Sequence, residues 1–203
     1  MQTPKYIFKA YDIRGLIEGE LSSELAYKLG RAFVQLLRDE GAVFENKYIV
    51  VRHDMRDTSI PFQKEVMRGI NDEGVDVVDI GLTSTPVFNF SCAHFDDHVG
   101  GIMVTASHNP REYNGFKITR GNGLPIGKGN GMEEIRDMVC DGVFEPVENN
   151  TASITLKDTR EAYIERIFSF VDTKNIKPLH VVIDGGNGMG DVSFPLWLDK
   201  LPV

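Results

Sequence analysis

The chain has 203 residues, 41% of them hydrophobic and 26% charged, enough to bury a core in one large domain or in one domain and part of another. Its formal charge of −8 argues against a general nucleic-acid binder, since an acidic surface repels phosphate backbones. Small anionic substrates stay admissible, because they need only a local cluster of Arg, Lys and backbone N–H groups.

In chain order, "KYIFKAYDI" reads as extended and ends in the Arg14-Gly15 turn. "SSELAYKLGRAFVQLLRDEG" is predicted as a helix, with Leu25, Leu29, Ala32, Phe33, Leu36 and Leu37 on one stripe, a Ser cap before it and Gly41 after it. "KYIVVRHD" follows as a buried strand. "TSIPFQKEVMRGINDEG" is a second helix, with Pro61 in its first turn and Gly74 at its end. "VDVVDIG" is the next strand, and a third helix opens at Thr85-Pro86. "VGGIMVTA" is apolar on both faces, as the middle of a mostly parallel sheet requires. The succession predicts a layered α/β/α domain with a mostly parallel sheet.

Beyond Lys117, "ITRGNGLPIGKGNG" suggests a hairpin or surface turn before the helix "MEEIRDMVC". The composition turns polar near "EPVENNTASITLKD", which places a boundary between residues 1–150 and residues 151–203, the start of a second, similar domain. There, a helix is expected from Asp158 as cap, with Tyr163, Ile164, Ile167, Phe168 and Val171 as its stripe. "LHVVIDGGNGMGD" reads as a strand, a tight turn and the start of a helix, and the chain as a fragment that stops soon after. Cys92 and Cys140 both fall in helical stretches, as packed thiols of a reduced protein. No apolar run approaches the roughly 20 residues that span a bilayer, and the first residues lack the apolar block of a signal peptide. A cytoplasmic protein without membrane or nucleic-acid partners is expected.

The stretch that invites chemistry is "VTASHNPREYNGFK", Val104 to Lys117. It delivers Ser107 to the carboxyl rim of the sheet, where sites of open α/β folds gather, and Asn109-Pro110 stiffens the turn behind it. A hydrolase pairing of Ser107 with His108 is disfavoured, because adjacent residues on an extended chain point apart and no G-x-S-x-G elbow is present. A serine that carries a phosphoryl group suits the surroundings better. Phosphoserine bears about −1.5 to −2 charge at pH 7, and nearby cations offset it.

"TASHNPREYNGFK" resembles the phosphoserine loop of the α-D-phosphohexomutases, the phosphoglucomutase/phosphomannomutase family. "FKAYDIRG", Phe8 to Gly15, is similar to that family's N-terminal signature. "HDMR" and "GLTSTP" match in order and spacing, and "VVIDGGNGMG" resembles the start of its second domain. Arg52 departs from the pattern, since the family usually has Gly there. A "DGDxDR" metal loop, a sugar-recognition loop and a second phosphate-binding loop are absent from these residues.

The resemblance implies interconversion of a hexose 1-phosphate and a hexose 6-phosphate, mannose or glucose, through a phosphoserine and a hexose 1,6-bisphosphate intermediate. It implies Ser107 as phosphoryl carrier and, through its phosphate, one ligand of Mg²⁺. Lys117 is then the cation or proton donor beside the transferring group, and His108 a donor or proton carrier. Arg14 suits bidentate phosphate binding, Tyr11 the cleft wall, and Asn109 the shape of the turn. Arg56 is read mainly as a salt-bridging residue at a helix start. The remaining domains of the parent chain are the expected partners, and the fragment alone is expected to be inactive. The competing expectation is a non-catalytic module that binds sugar phosphates on the same scaffold.

Overall fold

The computed structural model describes residues 3–145 and 151–202. One six-stranded sheet, in the order β1-β5-β4-β2-β3-β6, organises the chain. Its strands are β1 (Ile13–Leu16), β2 (Tyr48–His53), β3 (Asp76–Leu82), β4 (His98–Val104), β5 (Tyr113–Arg120) and β6 (Ile154–Leu156). β2 runs parallel to both β3 and β4, and β6 parallel to β3. β5 turns back antiparallel to β4, and β1 is antiparallel to β5. The sheet is therefore mixed: β2, β3 and β4 are parallel as expected, whereas β1 lies at the far edge, antiparallel to β5.

Helix α1 (Ser23–Asp39) starts as its sequence dictates: the Ser22 hydroxyl accepts the Leu25 N–H, and Gly41 leaves the helix in the left-handed region. Its stripe of Leu25, Leu29, Phe33 and Leu37 joins Phe62, Val66 and Ile70 of α2 (Ser59–Asp72) and Ile49, Val51, Ile102 and Val104 of the sheet in the main core. Burial of each such side chain contributes about 1.5–3 kcal/mol.

The two helices touch backbone to backbone. A Cβ on Gly30 would stand 2.3 Å from the Val66 carbonyl oxygen, and one on Gly69 would stand 2.1 Å from that of Tyr27. α4 (Met132–Asp141) adds Ile135 and Val139 to this layer. On the opposite face, α3 (Thr85–His94) packs Phe88 and Cys92 against Val50, Val78, Ile80 and Met103. It lies flush on β4 because Gly101 has no side chain, and a Cβ there would sit 2.8 Å from both Phe88 and Cys92.

Three expectations change. Of "KYIFKAYDI" only Ile13 is strand, and β1 runs on through the expected Arg14-Gly15 turn; Lys5–Ile7 form a 3₁₀ turn after Pro4, and the Lys9 N–H closes a loop on the Asp12 carbonyl at 2.8 Å. The segment "VVIDGG" forms no strand. No described strand lies beside it to accept its ladder, and Val181 and Val182 are exposed. On α5 (Arg160–Phe168) only Ile164 of the expected stripe is buried, and the helix ends before Val171. Asp158 still serves its start, accepting the Arg160 N–H at 3.0 Å.

The boundary expected near residue 150 falls at residues 146–150, outside the described residues. β6 and α5, which follow it, lie against β3 and α3. The short helices α6 (Gly190–Ser193) and α7 (Pro195–Leu198) come last. Among the described residues no helix is long and apolar enough to cross a membrane.

Candidate active site

β4 carries the chain to the rim, and the parallel ladder continues past its end: the Asp54 N–H donates to the Val104 carbonyl at 3.0 Å. Thr105 and Ala106 are buried, so the chain emerges only at Ser107, which is half-buried, and His108, which is exposed. Ser107 has φ of +56°, in the left-handed region. That conformation costs a residue with a Cβ roughly 1–2 kcal/mol, so the surroundings must hold it.

They do so through the main chain. The Thr105 hydroxyl accepts the Ser107 N–H at 2.9 Å and donates to Asp54 Oδ2 at 2.7 Å. The Asn109 N–H closes the turn on the Ala106 carbonyl at 3.1 Å. Arg56 then gathers the loop's carbonyls, donating to Asn109 at 2.6 Å, Pro110 at 2.8 Å and Tyr113 at 3.1 Å, with Ser107 at 3.4 Å. Among the described residues, none of the bonds that fix this turn uses the Ser107 hydroxyl.

Asp54 is the hub behind the turn. It is buried, pairs with Arg56 at 3.3 Å and accepts from the Ser59 hydroxyl at 2.7 Å and the Arg56 N–H at 3.1 Å. Asn114, fully buried on β5, donates to Ser59 Oγ at 3.0 Å and Thr58 Oγ1 at 2.9 Å, tying the start of α2 to the same assembly.

The cations expected near Ser107 come from β1 and β5. Arg14 Nη1 donates to Asn109 Oδ1 at 2.6 Å and its Nη2 pairs with Asp12, so the side chain from β1 is fastened to the serine turn. Lys117 Nζ lies 3.5 Å from the same Asp12 carboxylate. Phe116 and Ile118 face the main core, which leaves Lys117 on the other sheet face. Asp12 thus links Arg14 and Lys117. Tyr11, beside it, is 79% exposed and free to line a cleft.

Sequence reading brought out Ser107, His108, Asn109, Arg14, Lys117 and Tyr11. It missed Asp12, Asp54, Thr105 and Asn114, and it gave Arg56 only its salt bridge. "AYDIRG" and "HDMR" contain the missed carboxylates, but nothing local says what they hold. A cleft of about 900 Å³ opens beside the turn, lined by Leu16, Met55, Arg56, Thr58, Arg111 and Asn187 among others. It shares Arg56 with the loop, whereas Ser107, Arg14 and Lys117 lie outside its lining.

Fold and rim together define an α/β/α-layered domain whose polar loop is held at the carboxyl ends of the parallel strands. Residues 5–144 match the family model described as phosphoglucomutase/phosphomannomutase, alpha/beta/alpha domain I. The chain is 38% identical over 182 residues to a phosphomannomutase of Escherichia coli, covering 89% of this chain and 38% of that protein. It is also 38% identical over 195 residues to a protein of Xanthomonas campestris pv. campestris named for phosphohexose mutases, covering 96% and 42%. A crystal structure of a phosphoglucomutase/phosphomannomutase family protein from Burkholderia thailandensis superposes with a TM-score of 0.80 at 33% identity, over 97% of this chain and 42% of that one. A phosphoglucomutase of Paramecium shares the fold, with a TM-score of 0.82 at 16% identity over 100% of this chain and 42% of that one. This chain belongs to the phosphoglucomutase/phosphomannomutase family. It spans about two fifths of the length of these relatives.

Proposed function

We propose that the protein interconverts hexose 1-phosphates and hexose 6-phosphates, of mannose or glucose, with Ser107 as phosphoryl carrier and a hexose 1,6-bisphosphate as intermediate. One observation carries this reading: a half-exposed serine hydroxyl on a left-handed turn whose backbone is fixed by Arg56 and Thr105, with Arg14 tied to the same turn. Phosphoryl transfer depends on positioning and charge stabilisation more than on covalent help, and a fixed rim with adjacent cations supplies both.

In the transfer, the bond between phosphorus and Ser107 Oγ breaks and a bond from phosphorus to a sugar hydroxyl oxygen forms. The electron pair remains on Oγ, which takes up a proton, and the hydroxyl proton leaves to a base. Lys117 is proposed as the cation beside the transferring group and the donor to Oγ, and His108 as the exposed proton carrier. Arg14 binds phosphate oxygens and Asn109 orients it. Tyr11 borders the sugar. Asp12 sets the spacing of the two cations through its contacts to both.

Among the described residues no group of three or more His, Cys, Asp or Glu side chains is arranged to hold a metal ion. These residues do not by themselves fit Mg²⁺. In the proposed enzyme the ion takes only a Ser107 phosphate oxygen from this stretch. The activity belongs to the whole protein, and this stretch alone is proposed to be inactive.

The test is phosphate incorporation from hexose 1,6-bisphosphate into the whole protein, read by intact mass and peptide mapping. We expect one phosphate on Ser107, and neither incorporation nor mutase turnover in Ser107→Ala. Turnover that survives in Ser107→Ala removes the carrier assignment. Binding of hexose phosphate without any incorporation in the wild type points instead to a sugar-phosphate-binding module.

A further inference from the structure

Arg52 is the largest wholly buried side chain that is also charged. Residues alternate sides along β2: Ile49 and Val51 enter the main core under α1 and α2, while Val50 enters the smaller cluster under α3. Arg52 follows Val50 to the α3 side. Its neighbour across the sheet is Met103, whose sulfur accepts a hydrogen bond from Thr85 Oγ1 at 3.3 Å. Through Met103, Arg52 thus lies on the sheet face that the start of α3 covers.

Among the described residues only one of its nitrogens finds an acceptor, Nη2 donating to the His53 carbonyl at 2.5 Å. Nε and Nη1 are buried with no acceptor, and so is the hydroxyl of Thr83 on the segment that enters α3. The helix adds its own open donors, because Ser84 at the cap makes no side-chain hydrogen bond. Among the described residues, Arg52, Thr83 and the first turn of α3 thus each keep donors without an acceptor. The carboxylate nearest in sequence, Asp54, is occupied by Thr105, Ser59 and Arg56. Burial pushes the Arg52 pKa down to about 9, and the Asp54 charge opposes that shift only in part. Water satisfies donors but leaves the charge uncompensated, whereas an anion at a helix N-terminus answers both.

We propose that the space bounded by Arg52, Thr83 and the first turn of α3 binds a small inorganic anion, chloride or phosphate. A cleft of about 270 Å³ lies along Thr83, Ser84, Pro86 and Val87, with Arg160 also in its lining. Arg52, Met103 and Lys117 follow one another across β2, β4 and β5 in one row, with Met103 between the two cations.

Thermal unfolding of the protein is followed in sodium chloride, sodium phosphate and sodium gluconate at constant ionic strength. We expect saturable stabilisation by chloride or phosphate over gluconate, and the responding salt identifies the ion. Arg52→Met is expected to lose that dependence without losing stability in gluconate, and Thr83→Val to raise the half-saturating concentration several-fold. Ser107→Ala is expected to keep the full response, which separates this site from the carrier reading. In bromide-soaked crystals, an anomalous peak is expected within about 3.5 Å of the free Arg52 nitrogens. No saturable response in the wild type, an equal response in Arg52→Met, or, where that variant fails to fold, no bromide peak at Arg52 overturns the proposal.

Discussion

Replacing Arg56 by Met tests how the serine turn is held. The guanidinium makes three hydrogen bonds of 2.6–3.1 Å to loop carbonyls and an ion pair of 3.3 Å with Asp54. Hydrogen bonds from a charged donor contribute about 1.5–3 kcal/mol each, which sets an upper range of roughly 4–9 kcal/mol for the three. Water offsets part of that, because Pro110 is exposed and Asn109 and Tyr113 are only half-buried, so their carbonyls rehydrate when the loop opens. Asp54, buried but still served by Thr105, Ser59 and a backbone N–H, loses its cation without losing its other donors. We expect a net loss of about 3 kcal/mol in urea unfolding at unchanged m-value. Amide exchange from Ser107 to Tyr113 is expected to accelerate more than exchange in α1. Arg56→Lys restores the charge without the fork and is expected to recover less than half of the loss. A loss below about 1 kcal/mol, or full recovery by lysine, refutes the claim that a planar donor fork fixes this turn.

Gly69→Ala places a methyl group 2.1 Å from the Tyr27 carbonyl oxygen and forces α1 and α2 apart. The expected cost is about 3 kcal/mol, at the upper end of overpacking, measured by the same denaturation; a cost under 1 kcal/mol means the helices slide freely. His98 sets a pH dependence. Its Nδ1 donates to the Ser91 carbonyl at 2.6 Å, and its Nε2, then an acceptor, faces Lys157 Nζ at 3.4 Å with Asp97 3.7 Å away. Burial lowers its pKa from 6.5, with the Lys157 charge adding to that direction. A depressed folded value means full stability above about pH 6.5 and a progressive loss as pH falls from there through the folded value. His98→Gln is expected to flatten that limb in stability-versus-pH curves; an unchanged slope assigns the limb to other groups.

How much of this was legible depends on the range of each interaction. The caps and stripes of α1 and α2 are local, and Ser22, Gly41 and the Leu25-to-Leu37 stripe behave as their spacing dictates. "KYIFKAYDI" looked extended because its apolar residues suit a strand. Only the sheet's own geometry shows that β5 pairs no further than Ile13. "VVIDGG" has a strand's composition, but a strand needs a neighbour, and none of the described strands reaches it. The same logic divides the site. Ser107, Asn109 and the stiff turn are contiguous and readable. The role of Asp54 rests on Thr105, 51 residues away, and Asp12 lies 105 residues from Lys117. Arg56 was visible as a cation, but its carbonyl acceptors lie more than fifty positions downstream and come within reach only when β2 and β4 align.

The hydroxyl of Ser107 stands outside the framework that shapes its own turn. Esterifying that oxygen breaks no strut of the loop, and stripping the ester away leaves no vacancy to be filled. In the proposed reaction, a carrier loaded and unloaded at every cycle would therefore keep a single backbone shape, and refolding the loop would add nothing to the barrier of either half-reaction.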